Sequence, residues 1–365
     1  MTSYCCVGCF RGYPQEMVYR CPNCGDVFDL AGEISYFPEQ VMPKMPGVWK
    51  YHHTFGMPLG APIFTLGEGN TPLVLARSFG RDIYFKLENL NPTGSFKDRL
   101  TAVQISNLVA YGVEEAVEDS SGNAGASFAA YAARAGIKGR VYVPSSASGT
   151  KRAQIEMYGA EIIEVPGPRS AAAKAVIEAV ENEGMVYASH AYLPFGLPGI
   201  ATIAYEVFEQ LGQLPKAVIA PLGHGSLLLG IANGFLALRH SGIVEDVPKI
   251  IGVQAKACAP IWAQWKFGKA GLDEVVEGET LAKGIRVRGP IRGEALLKLA
   301  RECAIRFAAV EEDAILTGRD QLARLGFYVE TTSAVVWDAI HQVIEDFDDP
   351  VVVILSGSGL KNEHP

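Results

Sequence analysis

The sequence is short of positive charge: 32 lysine and arginine residues stand against 40 aspartate and glutamate residues, for a formal net charge of −8. A nucleic-acid-binding surface needs a basic patch, so this balance argues against a nucleic-acid partner. Long apolar runs are lacking as well, because proline, glycine, histidine and asparagine interrupt the most apolar window, 217–238. A membrane span needs about 20 largely apolar residues. We therefore expect a strand, a glycine loop and a buried helix in this window, and no membrane partner.

The N-terminal residues Met-Thr-Ser-Tyr-Cys-Cys lack the basic region and the apolar core of a signal peptide. We therefore expect a cytoplasmic protein. Cysteine is scarce beyond the first 24 residues, where Cys258 and Cys303 stand alone and are assigned to core packing. An apolar fraction of 48% and a charged fraction of 20% are typical of a globular chain, and 365 residues suffice for more than one domain.

The other five cysteines cluster near the N-terminus, in a pattern of two short pairs. Cys6-x-x-Cys9 and Cys21-x-x-Cys24 are separated by eleven residues, and Cys5 stands outside the pattern. Four thiolates in two such pairs can converge on one tetrahedral zinc, with no position left open for catalysis. We predict a structural zinc site; disulfides are the alternative, but they fit poorly with an intracellular chain.

Short apolar strands alternate with amphipathic helices through most of the chain. Repeated β-α units of this kind indicate mainly parallel sheets with helices on both faces. Eight of the predicted strands are 115–119, 140–144, 161–165, 185–188, 216–221, 249–254, 306–310 and 350–356. These are more than one compact sheet usually needs, so we predict two α/β domains with a cleft between them.

One lysine stands between a glycine turn and an acid-base pair, in the segment Asn-Pro-Thr-Gly-Ser-Phe-Lys-Asp-Arg, 91–99. The run 82–88 predicts a strand and the run 98–111 a helix, which places Lys97 at a helix N-terminus. Backbone N–H groups there favour an anion, and a lysine with lowered charge can attack a carbonyl as an amine nucleophile. The alternative is a surface lysine that begins a helix.

Three glycine-containing loops follow predicted strands. They read Asp-Ser-Ser-Gly-Asn-Ala-Gly at 119–125, Pro-Leu-Gly-His-Gly-Ser-Leu at 221–227, and Leu-Ser-Gly-Ser-Gly-Leu-Lys at 355–361. In α/β folds such loops are where ligands bind, with backbone N–H groups around a phosphate. Each loop alone can be a tight turn, but three of them together with a lysine at a helix N-terminus are a much rarer combination.

Four segments, 92–99, 120–125, 223–227 and 356–361, resemble in this order the pyridoxal-phosphate enzymes of the tryptophan-synthase-β fold, fold type II. Within that fold the chain is most similar to the threonine synthases, which the segment Thr-Leu-Gly-Glu-Gly-Asn-Thr-Pro-Leu at 65–73 and the cysteine-rich N-terminus support. The resemblance covers nearly the whole chain. It implies pyridoxal 5'-phosphate as cofactor, a small amino acid as substrate and a homodimer.

The resemblance also implies a role for each matching residue. Lys97 would hold the cofactor as an internal aldimine, Asn123 would bond its phenolic oxygen, and Ser356 would face its pyridine nitrogen. The cofactor phosphate would lie in one loop formed by Gly223, His224, Gly225, Ser226 and Leu227. The substrate carboxylate would be held by Ser120, Ser121, Gly122, Asn123 and Ala124.

A serine opposite the pyridine nitrogen has a chemical consequence. The Ser356 hydroxyl is a neutral partner, so it need not keep that nitrogen protonated as a carboxylate would. The ring is then a weaker electron sink, which suits rapid elimination with Lys97 as the proton shuttle. The alternative for Ser356 is a turn hydroxyl that bonds to its own backbone.

The segment 188–199 departs from the threonine synthase pattern Asn-Ser-x-Asn-Pro-x-Arg. It has Ser189 but no arginine or lysine. The phosphate of O-phosphohomoserine usually takes charge-assisted donors in a closed site. His190 and His224 can replace part of that binding, although a lone histidine is more often a loop or packing residue.

Three functions follow from these patterns. The first is threonine synthase, which converts O-phospho-L-homoserine and water to L-threonine and phosphate; Arg152, Arg286, Arg288 or Arg292 at the site would favour it. The second is β-elimination or β-replacement, as in a serine/threonine ammonia-lyase or a cysteine-synthase-like enzyme, which an apolar lining around Tyr192 and Phe195 would favour. The third is a non-catalytic scaffold, against which Lys97 and the intact loops argue. We expect a carbon-oxygen lyase of the threonine synthase type.

The predicted architecture is two doubly wound α/β domains with a cofactor cleft between them, and a small zinc-ribbon-like module with four cysteine ligands. The module spans 1–35. The large cofactor-binding domain spans 36–96 and 199–365, and the smaller substrate-binding domain spans 97–198.

Overall fold

The computed structural model describes residues 2–273, 275 and 278–361. Its strands are β1 (Tyr4–Cys6), β2 (Phe28–Leu30), β3 (Leu73–Ser78), β4 (Arg81–Lys86), β5 (Glu115–Glu118), β6 (Lys138–Pro144), β7 (Glu161–Val165), β8 (Val186–Tyr187), β9 (Ala217–Pro221), β10 (Lys249–Ala255), β11 (Ile305–Val310) and β12 (Val351–Ile354). Its α-helices are α1 (Lys97–Ala110), α2 (Asn123–Ala135), α3 (Thr150–Met157), α4 (Arg169–Glu183), α5 (Leu197–Leu211), α6 (Ser226–His240), α7 (Pro260–Phe267), α8 (Gly293–Glu302), α9 (Glu312–Arg324), α10 (Thr331–Ala334) and α11 (Val336–Val343). The eight strands that the sequence predicts from residue 115 onward all form, with ends that shift by two residues at most.

Contacts between residues divide the described chain into two compact units. The first comprises residues 2–69, 91–199 and 361, and the second comprises 70–90 and 200–360. Residues 36–69, which the sequence analysis assigns to the large domain, are grouped by their contacts with the first unit. The three-domain boundaries stay a prediction, because contacts do not show which segments fold independently. Among the described helices, none is both long and apolar enough to cross a bilayer.

The first unit contains a parallel four-stranded sheet in the order β7-β6-β5-β8. Successive residues of a strand point to opposite faces. In β5, Ala116 joins the apolar core formed with α1 and α2, whereas Val117 joins a smaller core with residues of α4. Both faces of the sheet are thus buried, as is typical of parallel sheets.

A small antiparallel hairpin, β1 and β2, belongs to the same unit and packs against the segment 188–199. Tyr4 and Tyr13 meet the ring of Phe195 edge to face, with centroids 5.1 and 4.9 Å apart. Aromatic pairs of this geometry contribute about 0.5–1.5 kcal/mol beyond the area they bury. The cysteine-rich hairpin therefore supports the chain segment that follows β8.

The second unit contains a six-stranded sheet in the order β11-β10-β9-β12-β4-β3. Its strands run parallel except β3, which pairs antiparallel with β4 at the edge. Ile251, Ile219 and Val353, from the adjacent inner strands β10, β9 and β12, meet in one apolar core. Because β9 and β12 are parallel neighbours, the loops that follow them begin at the same edge of the sheet.

A buried ion pair fixes α5 to this sheet. Lys86 of β4 and Glu206 of α5 are both fully buried, with Nζ and Oε2 2.7 Å apart. Lys86 also donates to Gln210 at 2.9 Å and to the carbonyl oxygen of Thr71 at 2.7 Å. Removal of either charge alone would leave its partner uncompensated, at a cost of about 3–5 kcal/mol.

Candidate active site

Lys97 is the first residue of α1 and is half-buried, with its ammonium group 5.0 Å from the centroid of the Phe96 ring. The preceding turn is closed by the N–H of Gly94, which donates to the carbonyl oxygen of Asn91 at 2.7 Å. Gly94 has a φ of +85°, a left-handed conformation that glycine adopts without strain. The turn directs the chain into α1, where the first backbone N–H groups have no partner within the helix and carry partial positive charge.

Asp98, the next residue, ties this turn to α2. Thr93 donates to the buried carboxylate through both its N–H and its hydroxyl, each at 2.6 Å, and Ser127 of α2 donates at 2.7 Å. Lys361 donates to the carbonyl oxygen of the same Thr93 at 2.7 Å. Burial raises the pKa of Asp98 to about 6, against the opposing effect of these hydrogen bonds and of the Lys361 charge. The turn before Lys97 is thus held by two residues far from it in sequence, Ser127 and Lys361.

The predicted substrate-binding residues Ser120, Ser121, Gly122, Asn123 and Ala124 lie in one loop between β5 and α2. The Ser120 hydroxyl accepts the N–H of Gly122 at 3.2 Å. A Cβ at Gly125 would lie 1.8 Å from the carbonyl oxygen of Ser120, so glycine alone fits there. The first N–H groups of α2 have no partner within the helix, which suits a carboxylate.

Two buried carboxylates precede this loop. The side chain of Glu118 is 1% exposed and that of Asp119 is 4% exposed. Arg169 of α4 donates to Asp119 at 2.6 Å, and Nδ1 of His190 lies 2.8 Å from Oε1 of Glu118. Burial, as the largest cause, raises the pKa of Glu118 well above its usual value, and the Asp119 charge adds to this. The charges of Arg169 and Lys97 oppose that shift.

Neither carboxylate was predicted from the sequence to belong to the site. Adjacent acidic residues at the end of an apolar strand are an available signal, because charged side chains are rarely buried without a partner. His190 was a candidate from the sequence, and the structure gives that histidine a partner in Glu118.

A positive charge reaches the segment 188–199 from the N-terminal hairpin. Arg20 donates to the Tyr192 hydroxyl at 3.0 Å, and its guanidinium lies 4.9 Å from the centroid of that ring. Arg20 also donates to the carbonyl oxygen of Gly25 at 2.8 Å, which fixes the guanidinium to the second cysteine pair. The segment 188–199 has no lysine or arginine of its own, but its Tyr192 contacts the guanidinium of Arg20.

The four predicted metal ligands converge. The sulfur atoms of Cys6, Cys9, Cys21 and Cys24 all lie within 4.8 Å of one another. Two pairs, Cys6 with Cys24 and Cys9 with Cys21, are separated by 3.3 and 3.6 Å. Sulfurs placed tetrahedrally about 2.3 Å from one zinc lie about 3.8 Å apart, so the donor set fits this ion. Cys5 points to the other face of β1, as strand alternation requires.

In the second unit, the loop 223–227 leads from β9 into α6. Gly225 precedes the helix with a φ of +102°, and Ser226 is the first helical residue. The buried hydroxyl of Ser226 has no hydrogen-bond partner within the described part of the chain. An orphaned hydroxyl and the first N–H groups of a helix are the donors that a phosphate takes, so the predicted cradle fits this group.

The same loop is fixed by the entry to α8. The carbonyl oxygen of His224 accepts the N–H of Arg292 at 3.0 Å, and its Nδ1 accepts the N–H of Ile291 at 3.4 Å. Arg292, one of the four arginines named above, is 1% exposed and contacts this loop through its backbone. Arg152 and Arg286 instead form ion pairs with glutamates at the surface.

Ser356 follows β12 and is buried. Its hydroxyl lies 2.9 Å from the hydroxyl of Ser333, which in turn accepts the N–H of Gly357 at 2.8 Å. The hydroxyl therefore bonds to a residue 23 positions away. Ser333 was not assigned to the site from the sequence.

The structure brings the predicted residues together in two groups. Lys97 and the loop 120–124 lie at the N-termini of α1 and α2, which pack together through Ser127. The loop 223–227 and Ser356 follow the neighbouring strands β9 and β12. The predicted cofactor cleft stays a prediction.

Comparison with known sequences agrees with these features. A family model described as pyridoxal-phosphate dependent enzyme matches residues 64–357. A threonine synthase of Methanocaldococcus jannaschii is 32% identical over 98% of this chain and 92% of that protein. A threonine synthase of Mycobacterium tuberculosis is 31% identical over 82% of this chain and 83% of that protein.

Comparison with solved structures points the same way. A threonine deaminase from T.th. is 25% identical, with a TM-score of 0.69, and covers 81% of this chain and 94% of that one. Isoform 2 of threonine deaminase from Solanum lycopersicum, at 21% identity, shares the fold with a TM-score of 0.70 over 91% of this chain and 93% of that one. The predicted α/β fold class is confirmed, and the chain belongs to the pyridoxal-phosphate dependent enzymes.

Proposed function

We propose that this protein is a pyridoxal-phosphate-dependent amino-acid lyase of the threonine synthase type, which converts O-phospho-L-homoserine and water to L-threonine and phosphate. The observation that carries the proposal is the similarity to threonine synthases over nearly the full chain, in a structure where Lys97 begins α1. The loops at 120–124 and 223–227 support it, because their donors suit a carboxylate and a phosphate.

Each residue of the site has one role in this proposal. Lys97 holds the cofactor, Asn123 bonds its phenolic oxygen, and Ser356 faces its ring nitrogen. The cofactor phosphate is held by the backbone of Gly223, His224, Gly225, Ser226 and Leu227, and by the Ser226 hydroxyl. The substrate carboxylate is held by Ser120, Ser121, Gly122, Asn123 and Ala124.

The bound cofactor supplies an electron sink for bonds at the substrate's α carbon. Lys97 would move protons at the neighbouring carbons of the substrate. Its reach is fixed by Asp98, whose hydrogen bonds hold the turn before α1. Ser356 and Ser333 offer neutral hydroxyls, so they place no fixed charge beside the ring nitrogen.

A second candidate function is β-elimination from serine or threonine. It is favoured by the absence of arginine and lysine from the sequence 188–199 and by the buried carboxyl group of Glu118 at the adjoining strand end. A carboxyl oxygen disfavours a phosphate dianion as its neighbour but accepts a hydrogen bond from a neutral hydroxyl.

Parallel assays of the cofactor-loaded protein test both candidates. Phosphate release with threonine formation from O-phospho-L-homoserine would establish the first function. Formation of a 2-oxo acid from L-serine or L-threonine, without phosphate release from the phosphorylated substrate, would establish the second. Loaded protein that reacts with none of these substrates would contradict the proposal.

We also propose a structural zinc ion at Cys6, Cys9, Cys21 and Cys24. Removal of one thiolate leaves an incomplete tetrahedral site, so Cys24→Ser should lower both zinc content and the midpoint of thermal unfolding. Because the hairpin lies away from Lys97 in sequence, protein that still folds should keep the absorbance of the bound cofactor. Elemental analysis of tag-free wild-type protein that finds no metal would contradict the zinc assignment, and Cys5→Ser is the matched control.

We further propose a cytoplasmic homodimer. Closely spaced thiols persist unoxidised in a reducing compartment, which the Cys-x-x-Cys pairs suit. Light scattering of the loaded protein should give a mass of twice the 39.2 kDa chain. A monomer at micromolar concentration would contradict this.

A further inference from the structure

Glu118 carries a buried oxygen that no described residue satisfies. Oε1 lies 2.8 Å from Nδ1 of His190, but Oε2 has no hydrogen-bond partner within the described part of the chain. An unpaired buried polar atom costs about 1–3 kcal/mol, so folded proteins usually give such an atom a partner from the protein, from water or from a ligand. The open oxygen is therefore available to a ligand.

The alternation of β5 directs Glu118 to the face that carries the site. Ala116, two residues earlier, belongs to the core formed with α1 and α2, and Glu118 shares its face. Asp119 points to the opposite face, where Arg169 of α4 binds it at 2.6 Å. Glu118 thus lies at the carboxyl end of β5, on the face covered by the helices that begin at Lys97 and Asn123.

The charges around Glu118 limit what can approach its open oxygen. Its neighbours come from each packed element: Lys97 of α1, Arg169 of α4, and His190 and Tyr187 on and after β8. The Arg169 charge is paired with Asp119, which leaves one carboxyl group facing the helices. A carboxyl oxygen accepts a hydrogen bond from a hydroxyl and disfavours a dianionic phosphate.

We propose that Glu118 is a further substrate-contacting residue, whose open oxygen accepts a hydrogen bond from a hydroxyl on the β carbon of the amino acid held by residues 120–124. The inference rests on the proposed function. It fits both candidate reactions, because threonine carries this hydroxyl as the product of one and as a substrate of the other. His190 binds the second oxygen and thereby fixes the plane of the carboxyl group.

The test compares L-threonine with L-2-aminobutyrate, which lacks only the β-hydroxyl. Both dissociation constants come from the spectral change of the cofactor-loaded protein in rapid mixing, before turnover. The wild type should bind threonine about tenfold more tightly or better, because the analogue leaves the buried acceptor unpaired. Glu118→Ala should reduce this ratio to about one to two, while affinity for 2-aminobutyrate stays within about threefold.

Two further variants keep the test decisive. If Glu118→Ala does not fold, Glu118→Gln takes its place in the test. Glu118→Gln preserves the side-chain shape and should lower the ratio of the two affinities, threonine over 2-aminobutyrate, at least about threefold. Glu115→Ala, at the opposite end of the same strand, should leave the ratio unchanged. An unchanged ratio in the Glu118 variants, with spectral changes still seen for both amino acids, overturns this inference alone. Absence of a spectral change with any amino acid overturns the proposed function and this inference together.

Discussion

The loops 120–124 and 223–227 are built on the same backbone plan but differ in what precedes them. Each connects the carboxyl end of a parallel strand to the N-terminus of a helix. Buried carboxylates, Glu118 and Asp119, stand before the first loop, whereas buried apolar residues, Pro221 and Leu222, stand before the second. We expect the helix N-terminus to provide the anion preference in both loops, and the preceding residues to decide whether the ligand is purely anionic or also offers hydrogen-bond donors.

The largest effect should come from substitution of the one glycine in or beside each loop that no other residue can replace. At Gly225 a side chain would need a φ of +102° and would lie 3.2 Å from the carbonyl oxygen of Arg292. Gly225→Val should weaken cofactor affinity at least about 100-fold, because a β-branched residue does not tolerate this conformation. Gly125→Ala should instead abolish the spectral response to amino acids, because its Cβ would lie 1.8 Å from the Ser120 oxygen.

Cofactor titration followed by amino-acid titration of the loaded protein separates these two effects. Gly112→Ala is the matched control, since Gly112 also has a positive φ but has no atom within 4 Å of the added Cβ. If both loop variants lost cofactor affinity, or the spectral response to amino acids, to the same extent, the two loops would not bind different ligands.

The free energy of unfolding of the first unit should depend on pH. The pKa of Asp98 is raised from 3.8 to about 6 in the folded protein, so the folded state binds the proton more tightly than the unfolded state. Stability from this group is therefore fully present below pH 4 and is lost as the pH rises to about 6, by about 3 kcal/mol. Asp98→Asn removes the group, so its unfolding free energy should lack this fall.

Urea unfolding of both proteins at pH 4, 5, 6 and 7 measures the difference. Glu118 and the other acids remain in both, so their titration cancels in the comparison. Parallel curves for wild type and Asp98→Asn would show that the pKa of Asp98 is not raised.

The smallest effect should come from single hydroxyls. Ser226→Ala removes a donor to a charged phosphate and should weaken cofactor affinity about tenfold, with amino-acid affinity of the loaded protein unchanged. Ser120→Ala should show the reverse pattern, with weaker amino-acid binding at unchanged cofactor affinity. Equilibrium dialysis and spectral titration provide the two constants, and a cofactor effect of Ser120→Ala equal to that of Ser226→Ala would remove the distinction.

Much of the fold follows from local sequence patterns. Apolar runs bounded by glycine or proline predict β5–β12, because buried parallel strands are continuously apolar. The strand β3 was not predicted, since its half-exposed edge position leaves a weak pattern, and β1 and β2 have three residues each. The helices α7, α8, α10 and α11 were not predicted either. The position of α7 and α8 depends on packing against β11, which lies later in the chain.

The residues of the site also divide into those that local sequence patterns predict and those that they do not. Lys97 and the glycine loops stand out because turn and helix-start signals lie within a few residues of each other. The partners that fix them do not, since Ser333 lies 23 residues from Ser356, His190 lies 72 from Glu118, and Lys361 lies 268 from Thr93. A single sequence holds no signal for pairs so far apart.

The proposed function requires that Lys97 carries the cofactor. Borohydride reduction of the cofactor-loaded wild-type protein, followed by peptide mapping with mass spectrometry, identifies the lysine that does so. We expect one labelled residue, Lys97, and no label in Lys97→Ala loaded in the same way. A label on any other lysine of the wild-type protein, or loaded protein in which borohydride labels no lysine, would show that Lys97 does not carry the cofactor.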